Sequence, residues 1–141
     1  MNAQEVLNAF LPTTKQVLAQ NTMCEVEIYD TKIKAKQTGE LLGIFFCRIP
    51  DQPRIQEFPN FVNIPTPDSR YRERDQRLLN VISQVTKVKP IRIQNNTEET
   101  LELLEEWAES IKNSVVLCRL GVRKSQYGAY YELNRRDSFV Y

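Results

Sequence analysis

The segment CEVEIYDTKIKAKQTGELLGIFFCRI, residues 24–49, gives the strongest indication of the fold, because it carries two strand patterns joined by a turn. Polar and apolar residues alternate over residues 24–36, which is the period of a half-buried strand. The apolar run 41–49 predicts a second strand, and QTGE at 37–40 predicts the turn of a hairpin. Because the second strand is apolar on both faces, we expect it in a central, covered position. The predicted inward positions of the first strand are Val26, Ile28, Ile33 and Ala35.

Elements on either side of the hairpin follow from the same patterns. Apolar residues at helical spacing predict a helix over residues 3–20, which Pro12 divides or kinks. Residues 50–67 are rich in proline and predict an extended connection with a short strand at 61–64. The apolar stripe that follows predicts a helix over residues 70–85.

The C-terminal half contains a helix between strand patterns. Residues 87–94 predict a strand, which Pro90 confines to an edge or a bulge. A capping-box pattern precedes a predicted helix over residues 97–112. Alternating patterns at 116–122 and 127–133 predict a final hairpin.

This order of elements indicates an α+β protein with a mainly antiparallel sheet, and the length fits a single domain, residues 1–141. Without the N-terminal helix and a proline-rich, helical insertion at 50–86, the order is three strands, a helix and two strands. That is the order of an OB-like five-stranded barrel. An open α+β sheet with a crossover helix satisfies the same order.

Composition argues against an enzyme of a common catalytic design. The chain has no histidine, which excludes Ser-His-Asp and Cys-His nucleophiles and histidine metal ligands. The four glycines form no phosphate-binding loop, and the three separated cysteines form no zinc motif, so they are interpreted as buried thiols. A Glu-Glu-x-x-Glu pattern at 98–102 is interpreted as a solvated helix face rather than a magnesium site. We therefore expect no cofactor and no metal, although an unusual metal-dependent enzyme stays open.

Any electrostatic function depends on how the charges are distributed, because 19 basic and 18 acidic residues give a net charge of +1. Lys32, Lys34 and Lys36 fall on one face of the first strand. They are interpreted either as a phosphate-binding face or as charges that protect an edge strand from aggregation. Four arginines at 70–77 alternate with acids, which indicates a salt-bridged face or, after the proline-rich segment, a basic arm.

The predicted C-terminal hairpin combines basic and aromatic residues. Alternation turns Arg119 and Arg123 outward, with Tyr130 beside them. The hairpin resembles the closing hairpin of OB-fold single-stranded nucleic-acid-binding proteins, in which a basic turn leads into a Tyr-Gly-x-Tyr-Tyr-like strand. This resemblance covers residues 114–134, and Tyr130 as a cross-strand packing partner is the alternative. The predicted nucleic-acid-binding residues are Arg119, Arg123, Lys124, Tyr127, Tyr130, Arg135 and Arg136, with Lys32, Lys34 and Lys36.

Two functions are favoured over an unusual metal-dependent enzyme. The first is non-enzymatic binding of single-stranded nucleic acid through a basic and aromatic sheet surface. The second is a protein-interaction or accessory role in a larger complex, or self-association, because the acidic helix at 97–112 and the basic hairpin have opposite charge. No signal peptide or membrane span is found in the sequence, so a cytoplasmic location without membrane contact is expected.

Overall fold

The computed structural model describes residues 22–94, 98–125, 128–133 and 138–139, with the backbone alone for residues 123–125, 128–130 and 132. The helix predicted at 3–20 lies outside these residues. The elements in chain order are β1 (Met23–Ala35), β2 (Leu41–Arg48), β3 (Phe58–Ile64), α1 (Arg72–Thr86), α2 (Glu98–Ile111), β4 (Ser114–Arg119), β5 (Gly121–Ser125) and β6 (Gly128–Glu132).

The hairpin predicted at 24–49 is confirmed, since β1 and β2 pair antiparallel. The turn between them places Gly39 at a φ of 87°, a conformation that glycine adopts without steric cost. β2 is central in a four-stranded antiparallel sheet of order β3-β2-β1-β4. β1 has 13 residues, so its N-terminal part also pairs with β4. The predicted α+β class with a mainly antiparallel sheet is therefore confirmed.

A β-bulge in β1 decides which of its side chains face the core. The register with β2 shifts between Ile28 and Asp30, so that Tyr29 is an extra residue and the alternation changes phase. Ile28 is buried before the bulge, and Ile33 packs against the core after it. This explains why the apolar positions of the strand change from even to odd numbers. Ala35 was also predicted to face inward, but at the end of the strand it is exposed.

The third strand of the sheet comes from the proline-rich segment. β3 pairs with β2 from Phe58 to Ile64, a longer strand than the one predicted at 61–64. Pro59 is tolerated because β3 is an edge strand of this sheet.

The prediction of a strand at 87–94 is wrong, since residues 88–94 have no regular secondary structure. Its apolar residues instead pack on the core, where Ile93 is buried.

The two helices predicted at 70–85 and 97–112 are confirmed as α1 and α2, with ends that differ by one or two residues. They cover the inner face of the sheet. The Trp107 ring centroid of α2 lies 6.0 Å from that of Phe45 in β2, and the indole N–H donates to Ser83 Oγ of α1 at 2.9 Å. Neither of these described helices has the length and apolar character needed to cross a membrane.

The final hairpin predicted at 116–122 and 127–133 is confirmed only in its second part, because residues 114–119 form a strand of their own. β4 pairs with β1, and β5 pairs with β6 in a separate two-stranded sheet. β6 nevertheless lies next to β3, because the ring centroids of Tyr131 and Phe58 are 5.5 Å apart and the Leu133 N–H donates to Asn60 Oδ1 at 2.9 Å. Strand pairing does not extend across this contact, so the described strands are not closed into a barrel.

Candidate functional site

The face of the four-stranded sheet opposite α1 and α2, here called the outer face, carries aromatic, apolar and cationic side chains in register. Phe61 of β3 is 53% exposed, and the lysines of β1 are exposed. The β2 side chains between them are partly buried. The strand register gives two cross-strand rows, which from β1 to β3 are Lys32-Ile44-Phe61 and Lys34-Leu42-Asn63.

The bulge in β1 makes this arrangement possible. Without the extra residue, the alternation that buries Ile28 would turn Lys32 and Lys34 toward the core. Neighbouring strands are about 4.8 Å apart, so the Phe61 and Lys32 backbones are separated by ~10 Å across β2. Neither row contains an acidic residue. Phe61, Lys32 and Lys34 are therefore exposed on the same face of the sheet.

A polar network borders these rows near the bulge. Arg48 donates to Glu27 from two nitrogens, at 2.6 and 3.0 Å, and its guanidinium carbon lies 5.3 Å from the Tyr29 ring centroid. The Tyr29 hydroxyl donates to Glu57 Oε2 at 2.8 Å. The hydrogen bond from Arg48 lowers the pKa of Glu27, while burial and then the bond to Glu57 raise the pKa of Tyr29 to about 12. Because Arg48 is neutralised by Glu27, this network is not a site for anions.

A cleft of about 300 Å³ lies beside the second row, between the turn at 36–40 and the start of α1. We call it the arginine cleft. The guanidinium carbons of Arg70 and Arg74 lie 5.1 and 4.3 Å from the ring centroid of Tyr71. Asn63 of the second row also lines the cleft, so the cleft and the outer face are continuous. The full lining is Lys36, Glu40, Leu41, Asn63, Ile64, Ser69, Arg70, Tyr71, Arg74 and Asp75.

The binding residues predicted from the sequence fall in different places. Lys32 and Lys34 lie on the outer face, whereas β1 ends before Lys36, which lines the arginine cleft. Arg119 is exposed but pairs with Met23, at the opposite end of the 13-residue β1 from the lysines. At ~3.3 Å per residue this is about 30 Å along the strand, so Arg119 and the lysines do not form one compact site.

The predicted residues of the C-terminal hairpin are described only in part. The register of β5 and β6 places Arg123 directly opposite Tyr130, and Lys124 opposite Ala129. Tyr127 and both arginines at 135–136 lie outside the described residues. The role predicted for these residues therefore stays a prediction.

Sequence reasoning missed Phe61, Arg70 and Tyr71. Phe61 was assigned to an insertion, so no sheet neighbour was predicted for it. The sequence feature that could have identified Phe61 is the alternation of β3, whose odd positions 59, 61 and 63 are exposed and whose even positions are buried. Arg70 was interpreted as part of a salt-bridged face or of a basic arm. Among the described residues it forms no ion pair, and its guanidinium carbon lies 5.1 Å from the Tyr71 ring centroid.

The three cysteines all lie in the four-stranded sheet, with Cys47 and Cys118 buried and Cys24 half-buried. Cys24 lies directly opposite Cys118 in the pairing of β1 with β4. Burial raises the pKa of the Cys47 thiol to about 12 and also raises those of the other two. The thiols are therefore protonated at neutral pH and poor nucleophiles. In the part of the chain that the structure describes, cysteine and acidic side chains form no group of three that could hold a metal ion.

Comparison with known proteins finds no family model that matches this chain and no curated protein with significant sequence similarity to it. The geometry of the outer face and of the arginine cleft is therefore the basis for inferring function.

Proposed function

We propose that the protein binds single-stranded nucleic acid on the outer face of its four-stranded sheet, without catalysing a reaction. The observation that carries this proposal is the row formed by Lys32, Ile44 and Phe61. An exposed aromatic ring stacks on an unpaired base of any sequence, and neighbouring ammonium groups neutralise the phosphates. The half-buried Ile44 supplies an apolar floor between them.

An OB-like barrel is part of the same proposal. The antiparallel β1-β2-β3 meander, the helices that follow it and the contacts of β6 with β3 support this arrangement. OB-folds bind oligonucleotides on the face of their second and third strands. Ile44 and Phe61 occupy β2 and β3, which makes the outer face the corresponding surface.

The first test is a fluorescence-anisotropy titration with labelled single-stranded DNA and RNA of about 30 nucleotides, longer than the ~4–16 nucleotides that one OB-fold covers. We expect Phe61→Ala to weaken binding by about 5- to 150-fold, the equivalent of one lost stacking contact of ~1–3 kcal/mol. Leu103→Ala is the matched control, because Leu103 is an equally exposed apolar side chain on α2, at 57%. Equal affinities of both variants and the wild type would refute stacking on Phe61.

Salt dependence tests the two lysines separately. Each phosphate contact on a single strand contributes about −0.7 to the slope of log K against log salt concentration. We expect Lys32→Ala and Lys34→Ala each to lower the magnitude of that slope by about this amount. Lys89→Ala should leave it unchanged, because Lys89 is an exposed lysine outside the sheets.

Variants of the C-terminal hairpin are titrated in the same experiment. Weaker binding of Arg123→Ala and Tyr130→Ala, with Phe61→Ala unaffected, would move the binding surface from the outer face to the hairpin predicted from the sequence. Weaker binding of all three variants would mean that one strand contacts both surfaces. Absence of binding at low salt would refute the proposed function.

The exposed surface of α2 favours one alternative function, an interaction with a basic protein partner or with a second copy of this chain. Leu101 and Leu103 are 40% and 57% exposed on a helix whose charged residues are all acidic. Exposed leucines among carboxylates suit a complementary apolar and basic surface. Sedimentation at two salt concentrations tests self-association, and Leu103→Glu should abolish any dimer that uses this surface.

A further inference from the structure

The arginine cleft holds positive charge that its acidic residues neutralise only weakly. Lys36 Nζ is 3.6 Å from Glu40, and an Arg74 nitrogen is 3.3 Å from Asp75. Lys36 and Glu40 are 42% and 69% exposed, and an exposed pair of this kind contributes little to stability. Arg74 is 64% exposed, although its partner Asp75 is only 14% exposed. Arg70 forms no ion pair with any described residue. An anion in the cleft therefore meets one guanidinium that no described acidic side chain pairs, beside two cations that each have one acidic partner.

The guanidinium groups of Arg70 and Arg74 lie near the same aromatic ring. Arg70 and Arg74 both contact the ring of Tyr71, at 5.1 and 4.3 Å from its centroid. Cation–π contacts restrict the two long side chains, so less rotamer entropy is lost when they bind. Guanidinium groups bind phosphate oxygens through paired N–H donors, and both arginines line the same cavity.

We infer that the arginine cleft binds the phosphate of a nucleotide. Its volume of about 300 Å³ is at the lower end of the ~300–1,000 Å³ of small-molecule sites, which suits a ligand of the size of one nucleotide unit. The phosphate comes either from a free nucleotide or from a nucleic-acid strand, and both sources share the chemistry that the arginines recognise.

The second source follows from the position of the cleft beside the outer face. Asn63 lines the cleft and is two residues from Phe61 along β3, a separation of about 7 Å. A strand stacked on Phe61 therefore reaches the cleft with an adjoining nucleotide. This extension of the inference rests on the proposed function, whereas binding of a free nucleotide does not.

The test uses the full chain and titrates inorganic phosphate, thymidine monophosphate and a labelled oligonucleotide into wild type and variants. Arginine Nε–Hε signals in proton–nitrogen correlation spectra report on the cleft, and Arg70→Lys and Arg74→Lys assign them. We expect thymidine monophosphate to shift the Arg70 and Arg74 signals, and Arg70→Ala to weaken its binding at least about tenfold. Arg54→Ala is the control, because Arg54 is an exposed arginine of the loop between β2 and β3.

The outcomes separate the two proposals. If neither phosphate nor thymidine monophosphate shifts the Arg70 and Arg74 signals, the cleft inference is overturned, whatever the oligonucleotide does on the outer face. If thymidine monophosphate binds the cleft but Phe61→Ala leaves oligonucleotide binding intact, the cleft inference holds and the proposed role of Phe61 fails. If Arg70→Ala and Arg54→Ala weaken nucleotide binding equally, the effect is general electrostatics and the cleft inference is overturned.

Discussion

A hydrogen bond between the Asn60 side chain and the Leu133 backbone joins β3 to the residue that follows β6. Asn60 is 3% exposed and its Oδ1 accepts the Leu133 N–H at 2.9 Å, while Leu133 is 1% exposed. Asn60→Ala leaves this amide buried without an acceptor. An unsatisfied buried donor costs about 1–3 kcal/mol of unfolding free energy.

The expected change in melting temperature follows from the size of the chain. Unfolding entropy is about 2.1 cal/mol/K per residue, so 141 residues give about 0.3 kcal/mol/K. The predicted cost of Asn60→Ala then corresponds to a melting temperature about 3–10 °C below that of the wild type. Thermal unfolding followed by circular dichroism measures this shift. Hydrogen exchange at the Leu133 amide provides a local measurement of the same contact.

Asn63→Ala is the matched control, because Asn63 is the same residue type on the same strand but is exposed. Surface substitutions usually change stability by less than about 0.5 kcal/mol, so its melting temperature should stay within about 2 °C of the wild type. Equal shifts for the two variants, with an unchanged exchange rate at Leu133, would refute the claim that Asn60 holds β6 against β3.

Three further predictions concern buried and ionised groups. Ser83→Ala leaves the Trp107 indole N–H buried without its acceptor, so urea unfolding followed by tryptophan fluorescence should show a loss of about 1–3 kcal/mol; an unchanged urea midpoint would contradict this. Because Arg48 lowers the pKa of Glu27 from 4.5, the stability advantage of wild type over Glu27→Gln should be present at neutral pH and disappear as the pH falls below 4.5. The pKa of Tyr29 is raised from 10 to about 12, so its contribution is present below pH 10 and is lost between pH 10 and 12. Urea midpoints of wild type and Tyr29→Phe should converge over that interval, and a constant difference would argue against it.

Local sequence patterns predicted most of the elements, since each depends on residues a few positions apart. The β1–β2 hairpin and both described helices follow from hydrophobic period and turn composition, which are local properties. The strand predicted at 87–94 failed because Ile93 and its apolar neighbours are buried by packing rather than by strand pairing. Prolines obscured β3, because an edge strand tolerates a residue that cannot donate a ladder hydrogen bond.

The candidate site was less predictable than the fold. Lys32 and Lys34 were identified from alternation alone, and the structure places them on the outer face. Their partner Phe61 is 29 positions from Lys32 in the chain and meets it only through the register of β2 with both neighbours. Register between strands depends on turns and bulges, so one extra residue changes every facing pair.

Composition and spacings of two to four residues were enough to predict the fold class, the principal hairpin and the two described helices, and to exclude histidine chemistry. Three features depend on tertiary structure: β3 completes the sheet, Cys24 lies opposite Cys118, and Lys36 joins Arg70 and Arg74 around one cleft. Such neighbours arise from long-range packing, which minimises exposed apolar surface over the whole chain and is not encoded in any one segment.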